Sequence, residues 1–78
     1  MNWRDHIISD PKVCHGQACI VGTRIPAAVV LANLADGMSV AELIEHYPSL
    51  TEDDIRATLH YAAAMALERI VDLPLAAG

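Results

Sequence analysis

Hydrophobic and polar positions change their period at Pro26. Before it, short runs rich in β-branched residues, His6-Ile7-Ile8-Ser9 and Cys19-Ile20-Val21, are separated by turn formers at Asp10-Pro11, His15-Gly16 and Gly22-Thr23. Runs of this kind bounded by Gly, Pro and Asp predict a short antiparallel β element with a tight turn at Gly22-Thr23, completed by Arg24-Ile25. In that turn Gly22 is expected to take a positive φ, and Thr23 or Arg24 to bond nearby backbone. Ile25 precedes a proline and should be extended. Pro26, with its φ already fixed, suits the first position of a helix.

Beyond Pro26 the period becomes helical. Val30, Leu31, Leu34 and Ala35 recur at the spacing of one helix face, and Gly37 is placed to end that helix. Ser39-Val40-Ala41-Glu42 has the form of a capping box. The helix it opens buries Val40, Leu43 and Ile44 and should stop at Tyr47, because Pro48 follows. Thr51-Glu52-Asp53-Asp54 is a second N-cap, with three carboxylates at the positive end of the helix dipole. The long helix after it carries an apolar stripe at Ile55, Leu59, Ala62, Ala66, Leu67 and Ile70, with Pro74 as its bound. The expectation is one mainly α domain: a β element over 1–26, three helices over 27–72 and a frayed tail over 73–78. Tyr47-Pro48-Ser49-Leu50, a short connection between a short and a long helix, has the spacing of a helix-turn-helix.

Composition sharpens this picture. In 78 residues, 54% are hydrophobic and none is Phe. So short a chain buries only about 60–65% of its unfolded surface, so apolar content this high predicts a homodimer that covers the excess. The net charge is −5, and the five basic residues, Arg4, Lys12, Arg24, Arg56 and Arg69, are scattered. An acidic chain without a basic patch is a poor non-specific binder of nucleic acid. No apolar run approaches the ~20 residues of a membrane span, and the N-terminus lacks the pattern of a signal peptide. The expected compartment is the cytoplasm, where Cys14 and Cys19 stay reduced.

Several segments together resemble the bacterial family called domain of unknown function 433. They are Ile8-Ser9-Asp10-Pro11-Lys12-Val13-Cys14-His15-Gly16-Gln17, then Ile20-Val21-Gly22-Thr23-Arg24-Ile25-Pro26, then Leu34-Ala35-Asp36-Gly37-Met38-Ser39. Tyr47-Pro48-Ser49-Leu50-Thr51-Glu52-Asp53-Asp54-Ile55 and Leu59 with Tyr61-Ala62-Ala63 follow in the same order. Cys19 departs from the family pattern, which usually has Pro or a small apolar residue there. Members are commonly described as VapB-type antitoxins with a homeodomain-like helix-turn-helix. The resemblance implies a compact single domain, a dimer, and a nuclease-like toxin as partner. It implies no catalytic residue.

The candidate chemistry is that of binding. A recognition role for the long helix would present Glu52, Asp53, Arg56, Ala57 and His60 outward, with Arg56 reading guanine or gripping a phosphate and His60 beside it. Against that, no Lys or Arg lies between Pro26 and Ile55, while Asp36, Glu42, Glu45, Glu52, Asp53 and Asp54 do. Lys12 and Arg24 in the β element are alternative DNA contacts. Glu52 and Asp53 are the candidate contacts for a basic protein partner. Cys14, His15, Cys19 and His6 contain the residue types of a zinc site, but the Cys spacing has four intervening residues and no second pair. Small buried thiols are the simpler reading, so no metal or other cofactor is expected.

The leading expectation is therefore an antitoxin that neutralises a ribonuclease-like toxin and represses its own operon through operator DNA. Few residues follow Ile70, so toxin contact would fall to the folded surface. A dimeric helix-turn-helix regulator without a toxin, and a protein-interaction module that binds no DNA, are the alternatives; none of the three is an enzyme.

Overall fold

The computed structural model describes residues 1–68. After a single 3-10 turn over Trp3–Asp5 come strand β1 (Ile7–Asp10), strand β2 (Val13–Ile20), and helices α1 (Ala27–Ala35), α2 (Val40–His46) and α3 (Glu52–Glu68). The fold is a mainly α domain of three helices with a small antiparallel sheet at its N-terminus, as the pattern of periods predicts.

The two strands form an antiparallel hairpin, but its turn lies at Pro11-Lys12 rather than at Gly22-Thr23. The Asp10 side chain accepts from the Lys12 backbone N–H at 2.9 Å, an Asx-type turn that the fixed φ of Pro11 supports. Ile7, Ile8 and Ser9 pair with Ile20, Cys19 and Ala18, and then Asp10 pairs with Val13, so that Cys14-His15-Gly16-Gln17 bulge out of the ladder. Cys14, His15 and Gly16 all have positive φ (52°, 54° and 81°). The Gly22-Thr23 turn closes a smaller pairing. The Ile20 N–H donates to the Ile25 carbonyl at 3.0 Å, and an isolated bridge joins Cys19 to Pro26. Pro26 has no N–H to extend that pairing into a strand. Within the turn Gly22 has φ 79°. The Thr23 hydroxyl donates to the Ile20 carbonyl (2.8 Å) and accepts from the Ile25 N–H (3.0 Å), so turn chemistry accounts for both residues.

Pro26 is the N-cap of α1 rather than its first residue. Gly37, at φ 97°, ends the helix: its N–H donates to the Leu34 carbonyl and that of Met38 to the Asn33 carbonyl, the two bonds of a Schellman motif. The capping box of α2 forms, with Glu42 N–H to Ser39 Oγ (3.1 Å) and Ser39 N–H to Glu42 Oε1 (3.2 Å). The helix ends at His46 with Tyr47 as its cap. Thr51 and Asp54 form the equivalent reciprocal pair ahead of α3.

The core is a single cluster of Ile7, Ile20, Val30, Leu43, Leu50 and Ile55. Both strands, all three helices and the α2–α3 connection each contribute one side chain, so the core joins every one of them. Trp3 and Tyr61 close one side in an edge-on aromatic contact with centroids 5.3 Å apart. Arg4 lies over the Trp3 ring at 4.4 Å.

Two expectations for α3 are corrected. Leu59 is not in the core but 48% exposed, and Leu67 is 86% exposed. Ala57, expected to face outward, is fully buried together with Thr58. Burial runs Ile55, Thr58 and then the half-buried Tyr61, Ala62 and Met65, one residue away from the Leu59 row. Thr58 tolerates that position because its hydroxyl donates to the Asp54 carbonyl at 2.8 Å, leaving no unpaired polar atom inside. Ile70, Pro74 and the tail lie outside the described residues.

Candidate functional site

Capping chemistry places carboxylates densely along the corner between α2 and α3. Glu42 is held by its capping box, while Glu45, Glu52 and Asp53 are exposed on the first and last turns of adjoining helices. Glu52 and Asp53 also stabilise α3 locally, because anions suit a helix N-terminus. Arg56 is exposed, and its Nη2 stands 3.5 Å from Glu52 Oε1, one helical turn away. A long, solvated contact of this kind adds little stability, but it sets a carboxylate beside the one Lys or Arg that the described residues of α2 and α3 carry. His60 is exposed one turn further along. Ala57 has left the surface row expected for a recognition helix, so α3 presents Glu52, Asp53, Arg56 and His60.

The second candidate region is the end of the hairpin. Lys12 sits in its turn, exposed, with the exposed His15 in the bulge. Arg24 is distant in sequence, but its carbonyl accepts from the Cys14 thiol at 3.1 Å. That contact ties the bulge to the Gly22-Thr23-Arg24 turn, which follows the end of β2 away from Lys12. A cavity of about 490 Å³ has walls that include Asp10, Val13, Cys19 and Arg24.

The candidate metal residues do not converge. His6 turns away from the cysteines, its Nδ1 donating to Asp54 Oδ1 at 2.8 Å. Among the described residues no three His, Cys, Asp or Glu side chains stand close enough to hold a metal ion. Burial, and then the nearby Cys14 thiol and the Asp10 charge, push the Cys19 thiol up, so it stays protonated at neutral pH and packs as a small apolar side chain.

The contact between His6 and Asp54 was not anticipated from the sequence. Burial alone would raise the Asp54 carboxyl. The hydrogen bond from His6 and the bonds from the Thr51 backbone and hydroxyl outweigh it, and hold Asp54 below the usual carboxylate range. The contact straps the residue before β1 to the first turn of α3. No local motif signals it, since the partners are 48 positions apart.

Comparison with known proteins agrees with this architecture. The family model described as "Protein of unknown function (DUF433)" matches residues 7–62. The uncharacterized protein y4eO of Sinorhizobium fredii (strain NBRC 101917 / NGR234) is 38% identical over 64 residues, which cover 82% of this chain and 29% of that protein. The chain thus spans under a third of that relative. The crystal structure of a DUF433 member protein from Anabaena variabilis ATCC 29413 superposes with a TM-score of 0.75 at 37% identity, covering 83% of this chain and 64% of the other.

Proposed function

The chain belongs to the DUF433 family of proteins of unknown function, and on that premise we propose that it is a binding subunit of antitoxin type that holds a basic, ribonuclease-like protein against the acidic α2–α3 corner. The observation that carries this reading is the charge of the corner. Glu45, Glu52 and Asp53 are exposed, no Lys or Arg lies between Pro26 and Ile55, and Arg56 stands beside Glu52. A protein that cleaves RNA needs a cationic cleft, and a fixed acidic surface is complementary to it, which speeds encounter and excludes the polyanionic substrate. The same surface repels DNA phosphates.

The test is co-expression with the product of the adjoining reading frame. Copurification, and loss of that product's ribonuclease activity on addition of this chain, are expected. Replacing Glu52→Gln and Asp53→Asn together should weaken the complex at least about tenfold, in line with truncated charge pairs at interfaces. Unchanged affinity in a correctly folded double variant rejects the acidic corner as the contact.

A second reading has its own observation. The β element carries Lys12 and Arg24, both exposed, and a β-ribbon is able to enter a groove of DNA. Binding of operator DNA through this element is compatible with partner binding at the acidic corner, since the two use different residues.

A further inference from the structure

Cys14 opens the bulge that interrupts β2, and Cys19 lies two residues beyond its end. Ser9 and Asp10 are consecutive, and their partners are Ala18 and Val13. The chain therefore leaves the ladder after Val13 and returns beside it at Ala18, one strand step away. The bulge folds onto the segment that follows β2. The Cys14 thiol donates to the Arg24 carbonyl at 3.1 Å. That same segment pairs with the end of β2: the Ile20 N–H donates to the Ile25 carbonyl at 3.0 Å, and Pro26 bridges Cys19. Both thiols thus lie against one stretch of chain, Arg24 to Pro26. Burial first, and then the Cys14 thiol beside it, push the Cys19 thiol up. Access to the two sulfurs differs. Cys14 is half-buried and Cys19 is fully buried, so a reagent from solvent meets Cys14 first. Cys14 and His15 hold φ at 52° and 54°, a region that residues with side chains seldom occupy. The bulge keeps that shape through its contacts, the Cys14 thiol on Arg24 and the Ser9 hydroxyl on the Gly16 carbonyl.

We propose that Cys14 and Cys19 are a redox switch: on meeting a hydroperoxide they close into an intramolecular disulfide, and the bulge changes from a flap hydrogen-bonded to Arg24 into a loop fixed covalently to β2. Cys14 acts first. Its sulfur takes the terminal oxygen of the hydroperoxide, the O–O bond breaks, the thiol becomes a sulfenic acid, and the rest of the peroxide leaves as water or an alcohol. The Cys19 sulfur then attacks the Cys14 sulfur. The S–O bond breaks, the S–S bond forms, and the sulfenic hydroxyl leaves with the Cys19 proton as water. Two thiols lose two electrons and two protons, and the hydroperoxide takes them up. A resolving thiol held in the same fold outcompetes a second molecule of dilute peroxide, because the closing step is intramolecular. In the disulfide Cys14 has no hydrogen left to donate, so the Arg24 carbonyl loses its thiol partner. A dithiol reductant restores both thiols and the contact.

Hydrogen peroxide added to the full chain at neutral pH tests this, with the remaining thiols alkylated in denaturant before mass analysis. The 8.4 kDa wild-type chain is expected to lose two hydrogen masses, take up no alkyl group and run as a single chain on a non-reducing denaturing gel. Residues 13–24 form one tryptic peptide holding both cysteines, and that peptide should carry the mass loss until dithiothreitol reverses it. Cys19→Ala should stop at a Cys14 sulfenic acid that dimedone captures. Cys14→Ser should keep its Cys19 thiol at least about tenfold longer than the wild-type chain keeps Cys14, because burial withholds thiolate from the oxidant. The Ile25 amide resonance, in the same peptide unit as the Arg24 carbonyl, should move on oxidation and return on reduction. Circular dichroism checks that both variants keep the helix content of the wild-type chain, and the wild-type mass needs no variant. Oxidation of wild-type Cys14 onward to sulfinic acid overturns the proposal. So does a disulfide between chains in place of one within, rapid oxidation of Cys19 in Cys14→Ser, or an Ile25 resonance that oxidation leaves unmoved. The acidic corner uses other residues, and its test is independent of these outcomes.

Discussion

His6 and Asp54 are 48 positions apart and joined by a 2.8 Å hydrogen bond between His6 Nδ1 and Asp54 Oδ1. Asp54 is also the third residue of α3, where its second oxygen accepts from the Thr51 N–H at 3.0 Å. One carboxylate therefore caps a helix and straps it to the start of the sheet. Asp54→Ala removes both contacts and leaves the part-buried His6 without its acceptor. A loss of about 1–3 kcal/mol in urea-derived stability is expected, the usual cost of a lost cap together with an orphaned polar group.

The same carboxylate makes the fold sensitive to acid. Asp54 titrates below its unfolded value because its hydrogen bonds outweigh burial. A depressed carboxyl contributes stability that is fully present above the unfolded value of about 3.9 and is lost as pH falls through the lower folded value. Stability should therefore be level from neutrality to about pH 5 and decline below about pH 4. In Asp54→Asn the decline should be shallower, and denaturant melts at a series of pH values read the difference. A wild-type profile no steeper than that of the variant would remove Asp54 as a source of that sensitivity.

Core truncation separates the two rows of α3 and its neighbours. Leu43 is fully buried at the centre of the cluster, and Leu43→Ala should cost about 2–5 kcal/mol. Leu59, at 48% exposure, should cost less than about 1 kcal/mol when cut to Ala at a concentration that keeps the chain monomeric. Equal losses in urea titrations would return Leu59 to the core.

That pair of residues also marks how far the sequence can be read. Ser39 with Glu42, Gly37 and the Tyr47-Pro48 step fix helix ends through local chemistry, and each stands where its residue type predicts. The face of α3 is different. Its second half is apolar on every side, so the period alone admits two stripes, one through Leu59 and one through Thr58. What selects between them is the packing of Thr58 against distant elements and its bond to the Asp54 carbonyl. Which turn joins the two main strands is left open by the sequence for a related reason. Asp10-Pro11 and Gly22-Thr23 are both good turns, and only the pairing of Ser9 with Ala18 and of Asp10 with Val13 decides which one closes the ladder. The acidic corner was visible as a charge count. The meeting of Cys14 with the Arg24 carbonyl was not, because it depends on the bulge that starts at Cys14.

The two thiols should differ in reactivity. Cys19 is fully buried, and burial pushes its thiol up; Cys14 is only half-buried. Thiolate is the reactive form, so iodoacetamide at neutral pH should modify Cys14 first, with Cys19 reacting at a comparable rate only in denaturant. Peptide mass mapping over time reads the order. Equal rates in the folded protein would contradict the burial of Cys19.

Operator binding, the second functional reading, has a distinct signature in salt. With few and scattered cations per chain, the bound protein neutralises few phosphates. The logarithm of its affinity for DNA upstream of its own gene should fall with the logarithm of salt at a slope of about −2 to −5, from ~0.9 per phosphate contact. Arg24 lies exposed in the β element, its carbonyl against the Cys14 thiol, whereas Arg56 sits 3.5 Å from Glu52 and three residues from Asp53. Arg24→Ala should therefore weaken binding most, and Arg56→Ala should change it little. Gel shifts at several salt concentrations decide between the elements. If Arg56→Ala instead alters preference at one base pair by about 1–3 kcal/mol, α3 reads the major groove and the hairpin does not. If no upstream DNA is bound at low salt, the acidic corner is left as the working surface, and the charge of α2 and α3 is then explained by a protein partner alone.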